Sequence, residues 1–435
     1  MQKTLAFFVL WSILQTSITF LGLYSNIMNS FKKITEKIFA FEEETLRKFK
    51  KQTRIERMSY QAFDTTSFPI VGITGLRWVG KTSYLLKKRS LSKNAVYISC
   101  DRKFLASVDF LELLLYLYHN FAITFFLLDE IQVLPDRIVI IKNVFDALDI
   151  RILFSGSNKI HIETLWYDLS RRLILKSLPP FSYAEYIAFK YGVNKTLSWN
   201  DIIQHPEKSS KSFSRFYNKE IDKQEYLSYG EFGYFYQWAQ GSDFCFLLNN
   251  SLRKSIHEDI PHIAHINTSN LAKIENILVY ISNMWASQIN INTLSKKVWL
   301  DNKTTKIYIE YLERLWRIVS LEKHGMLAER LRKEKKIYLL SNNLMSYLAN
   351  KEDENFLGKQ RESFFLQNIL RVLGGKDWVK IKTRTDFIVF KDGKEYAFEV
   401  GWMNKKRSDG VYVVKDDILL GNKKEIPLWL FGFLR

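Results

Sequence analysis

The chain has 435 residues, too many for one small hydrophobic core and enough for roughly two to four domains. Its hydrophobic fraction of 47% and aromatic fraction of 15% exclude disorder throughout, because that apolar content fills several packed cores; its two cysteines, Cys100 and Cys245, lack CxxC or Cys/His spacing, which excludes a disulfide framework or structural zinc site and fits a reducing, cytoplasmic setting. Lys and Arg outnumber Asp and Glu by 64 to 46, a net charge of +18, which attracts phosphate-rich partners or an anionic membrane face, although lysine inflated by an AT-rich coding sequence gives the same surplus.

Residues 5–24 carry no charge and are long enough to span a bilayer. No small-residue cleavage pattern stands out near Ser25, which argues against a removed secretory signal. Three readings remain. One is a membrane anchor, with Lys32 and Lys33 outnumbering Lys3 and holding the body in the cytoplasm. Another is translation from Met28, so that residues 1–27 are never made; the third is a buried helix. Residues 28–66 form a charged helical arm, with Glu42, Glu43 and Glu44 followed by Lys48, Lys50 and Lys51.

From residue 67 the pattern changes to short apolar runs at 68–74, 95–100, 125–128, 150–154 and 173–178, the appearance of buried parallel strands. Amphipathic stretches at 81–89, 104–120 and 137–148 read as crossover helices. With the GxxxxGK[ST] pattern of residues 75–82 between the first run and the first amphipathic stretch, the expectation is an α/β fold: a P-loop NTPase parallel sheet with flanking helices over 67–190, then a helical/winged-helix part and a small α/β domain. After Pro179-Pro180 a helical linker or lid occupies 191–270, with a polar surface loop at 204–223. Three helical patterns in 271–335, one capped by Asn290 and two separated by Asp301-Asn302-Lys303-Thr304, have the spacing of a helix-turn-helix inside a winged helix. In 336–435 a strand at 337–340, a helix at 362–373 and a hairpin of 386–390 with 396–400 around Asp392-Gly393 read as a small α/β domain.

The chemistry concentrates in Gly75-Leu76-Arg77-Trp78-Val79-Gly80-Lys81-Thr82, a full GxxxxGK[ST] between a predicted strand and a predicted helix. Backbone N–H groups converge on phosphate only where side chains do not obstruct them, which Gly75 and Gly80 permit. Lys81 then reaches the β- and γ-phosphates of ATP, Thr82 ligates magnesium, and Ser83 continues the cradle into the helix. Asp129 and Glu130 end the apolar run 125–128; Asp129 is the expected second magnesium residue and Glu130 the base for the attacking water. Ser155-Gly156-Ser157-Asn158 ends the next strand and supplies polar groups for the same water, with Asn158 the chosen residue. Arg171 and Arg172 are candidates for an arginine finger completing the site of a neighbouring copy, or for a surface ion pair.

These residues resemble a prokaryotic family of AAA+-type ATPases that carry a winged helix and a C-terminal nuclease-like domain of unknown function. The likeness is carried by 75–82, 127–132, 155–158 and Leu178-Pro179-Pro180-Phe181-Ser182-Tyr183-Ala184-Glu185-Tyr186, similar to that family's Leu-Pro-Pro-Leu-Ser-Phe-x-Glu-Phe segment. Later blocks at 257–261, 336–340, 361–364 and 426–434 extend it over nearly the whole chain after Phe63. Relatives have Gly where Arg171 stands, which makes Arg172 the finger candidate. Asp386 and Glu399, with Glu362, resemble the PD-(D/E)xK arrangement of metal ligands, but Gly401 stands where that chemistry needs Lys, and Lys405 and Lys406 lie farther along. A degenerate scaffold without nuclease activity is the expectation. Were residues 303–314 a recognition helix, Lys303, Thr304, Thr305, Lys306 and Tyr308 would face a DNA groove; winged helices also serve as protein joints. Two functions compete: an ATPase, oligomeric if it shares an arginine, driving a DNA- or protein-directed task, and an ATP-controlled DNA-binding switch with negligible turnover.

Overall fold

A computed structural model describes residues 28–51, 56–64, 68–134, 137–156, 172–233, 241–261, 270–284, 290–315, 317–324, 335–382, 385–402 and 410–435. Residues 28–51 are helical (α1), and a single turn, α2 (Gln61–Asp64), leads to the first sheet. That sheet contains β1 (Ile70–Thr74), β2 (Ala95–Ser99), β3 (Phe125–Asp129), β4 (Arg151–Gly156) and β5 (Leu173–Ser177) in the order β2-β3-β4-β1-β5, all parallel. The crossovers include α3 (Lys81–Ser90), α4 (Phe110–Phe121) and α5 (Arg137–Ala147). β1 and β2 are buried along their whole length, as uninterrupted apolar strands covered on both faces must be. Edge strand β2 is closed by α1: the Glu42 carboxylate accepts the Tyr97 N–H at 2.6 Å and the Arg89 Nε–H at 2.5 Å. An exposed strand edge is thereby occupied by the arm.

Beyond β5 the chain enters α6 (Tyr183–Tyr191), α7 (Trp199–Gln204), α8 (Pro206–Phe213), α9 (Gln224–Tyr229) and α10 (Gly241–Lys254). The polar stretch expected as a surface loop at 204–223 contains α8, whose Ser209 and Ser210 are buried; the Ser210 hydroxyl accepts the Gly421 N–H at 2.9 Å. Serines read as loop-forming by their polarity, but their small volume also allows close helix packing, and Pro206 suits a first helical turn.

Next come α11 (Leu271–Asn283), α12 (Ile291–Lys297), α13 (Asn302–Arg314) and the antiparallel pair β6 (Ile318–Leu321) and β7 (Lys336–Leu339). β7 had been expected to open the C-terminal unit at 336, yet it pairs with β6, so that boundary cuts through a two-stranded ribbon. Sequence alone shows a strand but not its partner. After α14 (Asn342–Leu348) and α15 (Phe356–Leu373), a second sheet holds β8 (Val379–Lys382), β9 (Thr385–Lys391), β10 (Lys394–Gly401), β11 (Val411–Lys415) and β12 (Glu425–Pro427) in sequential order. Its core includes Phe365, Phe387, Phe398, Trp429 and Phe431 together with Tyr183, Tyr186 and Trp199 from α6 and α7. The helices directly after the first sheet therefore belong to the hydrophobic core of the second.

Candidate functional site

The loop from β1 to α3 is shaped by backbone requirements. Gly75 has φ +150° and a Cβ there would lie 2.4 Å from the Leu178 carbonyl oxygen; Gly80 has φ +93°. Neither position tolerates a side chain without strain. Leu76 and Val79 anchor the loop in the core, Trp78 is exposed at φ +66°, and Arg77 is half-buried. Lys81 is buried, and its ammonium donates to the Gly75 and Leu76 carbonyls at 2.9 and 2.8 Å, which holds it inside the curl of the loop. Ser83, in the first turn of α3, is half-buried.

Across from the loop, Asp129 ends β3 and is only 3% exposed. Three hydroxyls donate to it: Thr82 Oγ1 and Tyr97 Oη to Oδ2, each at 2.8 Å, and Ser155 Oγ to Oδ1. Burial, and then the charge of Glu130, push the Asp129 carboxyl above its ordinary range, while the three hydroxyls oppose that rise. Among the described residues no cationic side chain bonds to it. β4 lies between β1 and β3, so Ser155 enters between the loop and the acid; it also accepts the Glu130 N–H at 3.3 Å. Glu130 turns out of the strand in the left-handed region, φ +54°, and its carboxylate accepts from Gln132 Nε2.

A second set of contacts grips the loop from outside. Three successive carbonyls are held: Trp78 O accepts the Gly233 N–H at 2.9 Å, Val79 O accepts from Arg57 Nη1, and Gly80 O accepts from Tyr60 Oη at 2.7 Å. Arg57 also donates to the Pro179 carbonyl at 3.1 Å and forms a bidentate pair with Glu185 at 3.1 and 2.7 Å. Both partners are almost fully buried. Burial alone would raise the Glu185 carboxyl, but the Arg57 charge and hydrogen bonds outweigh it and hold the group at about 2. The Leu-Pro-Pro segment and Glu185 thus act through Arg57 on the phosphate loop. Glu185 was visible as part of a sequence block; Arg57, Tyr60 and Tyr97 carry no local signal.

The structure brings together Gly75, Gly80, Lys81, Thr82, Asp129, Glu130 and Ser155. Asn158 and Arg171 lie outside the described residues, as do residues 5–24 and Lys405 and Lys406. Among the described residues no helix is long and apolar enough to cross a membrane. Arg172 is not brought to the loop of its own chain: it precedes β5 at the amino end of the strands, ion-paired with Asp146 and near the Phe145 ring at 5.4 Å. The expected groove-facing set is corrected on α13. Thr305 and Tyr308 are buried, with Thr305 Oγ1 donating to Asp301 O at 2.9 Å, and Thr304 donates through N and Oγ1 to the Asp301 side chain; Lys303 and Lys306 are exposed. The helical period turns 305 and 308 inward when 303 and 306 face out. In the C-terminal sheet Asp386 Oδ2 accepts the Val400 N–H at 2.8 Å and Glu362 accepts from Tyr338 Oη at 2.9 Å, and Glu399 is buried. No group of three metal-ligating side chains is formed among the described residues.

A parallel sheet with a strand between β1 and the acid-bearing β3, and Thr82 bonded to Asp129, form an α/β P-loop arrangement. Comparison with known families agrees: residues 67–187 match an AAA domain, and residues 222–355 match a domain of unknown function, DUF8612. An uncharacterized protein of Methanocaldococcus jannaschii is 22% identical over 290 residues, 62% of this chain; the chain spans 60% of that relative's length. Among solved structures, C. elegans PCH-2 matches at 13% identity and TM-score 0.23 over 62% of this chain and 68% of its own. A katanin self-assembly structure matches at 10% identity and TM-score 0.23 over 61% and 80%.

Proposed function

We propose that the chain is a magnesium-dependent ATP hydrolase that couples turnover to a DNA-directed task. The observation that carries the hydrolase reading is the 2.8 Å contact of Thr82 with Asp129, flanked by Lys81 and Glu130. The donor set fits the substrate and ion. Among the described residues the buried carboxylate is bonded by hydroxyls and by no cationic side chain, and a glycine-shaped loop around a buried ammonium suits polyphosphate. Thr82 and Asp129 would hold magnesium, which when bound offsets charge on the phosphate oxygens. Residues 75–83 bind the ATP phosphates, Lys81 leaves the Gly75 and Leu76 carbonyls for the β- and γ-phosphates, and Glu130 orients water and accepts its proton. Ser155 keeps Asp129 and the Glu130 backbone in register, with Asn158 as the further polar group. A second copy supplies Arg172, which faces away from its own loop.

The DNA-directed part rests on a winged-helix reading of α11, α12, α13 and the β6–β7 ribbon, with Lys303 and Lys306 outward. Free Cys100 and Cys245 suit the cytoplasm, where ATP is available. Glu130→Gln tests the hydrolase: turnover should fall by about a hundredfold or more while ATP still binds, and unchanged turnover removes Glu130 as the base. One observation favours the alternative of a DNA-binding switch with negligible turnover: Gln132 holds the Glu130 carboxylate. In that case wild-type turnover is negligible, Gln132→Ala raises it, and DNA affinity follows nucleotide.

A further inference from the structure

At 85% exposure, Trp299 is the most exposed of the large apolar side chains among the described residues. It stands in the turn between α12 and α13 with φ +55°. Val298 ends α12, and Leu300 N–H closes back on the Ser295 carbonyl at 2.9 Å, so Trp299 occupies the left-handed position after the helix where glycine is the usual residue. A bulky side chain there is strained. Its indole also gains no burial, so neither backbone preference nor core packing accounts for it.

The turn is rigid. Lys273 Nζ donates to the Trp299 carbonyl at 3.0 Å, and Asn302 joins α13 to α12 through Ser295 Oγ at 2.5 Å and Asn292 Oδ1 at 2.6 Å. Around it Lys296, Lys297, Lys303 and Lys306 are exposed, and Lys303 and Lys306 share one face of α13. The Asp301 carboxylate is occupied in capping α13. Protein-binding tryptophans sit in surfaces depleted of lysine, whereas an aromatic platform among lysines is how single strands are held. A paired base hides its face in the stack, so an indole adds affinity only where bases are unpaired.

We propose that the α12–α13 turn binds single-stranded nucleic acid, with Trp299 stacking on an unpaired base and Lys296, Lys297, Lys303 and Lys306 neutralising the flanking phosphates. This rests on the DNA-directed reading and sharpens its partner. The test measures full-length protein binding a labelled oligo-dT strand and, separately, a blunt duplex, by fluorescence anisotropy. Trp299→Gly should weaken strand binding about tenfold and leave duplex binding within about twofold, while its Tm does not fall because glycine suits the turn. Trp299→Phe should retain strand affinity within about threefold, and Lys303→Ala with Lys306→Ala should weaken both ligands and flatten their salt dependence. Equal strand affinity in Trp299→Gly and wild type overturns the proposal. So does a wild type that binds no strand, including one in which Trp299 captures a protein instead. ATP turnover of the wild type is read in the same preparation: hydrolysis without strand binding overturns this inference alone, whereas strand binding through Trp299 without hydrolysis supports it and removes only the hydrolase reading.

Discussion

Asp129 and Asp416 occupy similar places in two different sheets. One is the last residue of β3 and the other directly follows β11; both are buried. Asp129 is met by three hydroxyls and is pushed up by burial and then by Glu130. Asp416 is met by Lys223 and by Arg361 Nε at 2.9 Å, and although burial works against its charge, Lys223 and then Arg361 hold it below the ordinary range. The comparison separates a carboxylate that is bonded by hydroxyls among the described residues from one that is paired with cationic side chains of its own chain. A buried charge paired within the chain is structural, whereas one surrounded only by hydroxyls has room in its electrostatics for an ion.

Neutralising each acid should break the two regions in opposite ways. Asp129→Asn should lower ATP turnover by about a thousandfold, roughly 4 kcal/mol in the barrier, with no fall in Tm; steady-state turnover and a melting curve check both. A destabilised Asp129→Asn would show that the acid is structural after all. Asp416→Asn leaves the buried Lys223 and Arg361 facing a neutral amide and should cost about 3 kcal/mol of folding stability, measured by urea unfolding.

Glu185 extends the comparison to pH. Its folded value of about 2 lies below the ordinary 4.5, so its stabilising contribution is complete above about pH 4.5 and is lost as pH falls toward and through 2. The wild type should therefore lose about 3 kcal/mol more than Glu185→Gln over that interval, and its ATP affinity should weaken in parallel as Arg57 loosens its hold on Val79. Parallel acid-unfolding curves for the two proteins would break that link. The smallest effect is expected at Arg172, whose pair with Asp146 is well exposed. Arg172→Ala should change Tm by less than the equivalent of about 0.5 kcal/mol. A loss of turnover that grows with protein concentration would show that the residue serves a neighbouring copy.

The first sheet was legible because parallel strands buried on both faces leave uninterrupted apolar runs, and the runs at 70–74, 95–99 and 125–128 are such cases. The second half was less so. Ser210 looked like a loop residue because its partner, Gly421, lies more than two hundred positions away. The strand at 336–339 was placed in the C-terminal unit with no partner named, and its pairing with β6 was not legible because β-pairing is non-local. At the site, Lys81, Thr82, Asp129 and Glu130 followed from local spacing, whereas Tyr97, Tyr60 and Arg57 act across long separations and leave no pattern in their own neighbourhoods.

Taken alone, the sequence determined that a GxxxxGK[ST] loop lies between a strand and a helix, because the glycine requirements of a backbone cradle and its lysine are confined to eight consecutive residues. It also determined the acidic strand end, because an apolar run must stop where charge reaches the sheet edge. Only the tertiary structure decided that β4 stands between those two strands and inserts Ser155 at Asp129. It alone showed that Arg57, Tyr60 and Gly233 hold three carbonyls of the loop, that Thr305 and Tyr308 face inward, and that the Trp299 side chain is exposed among the described residues. Burial and long-range hydrogen bonding are properties of the packed chain, and no local pattern of residues encodes them.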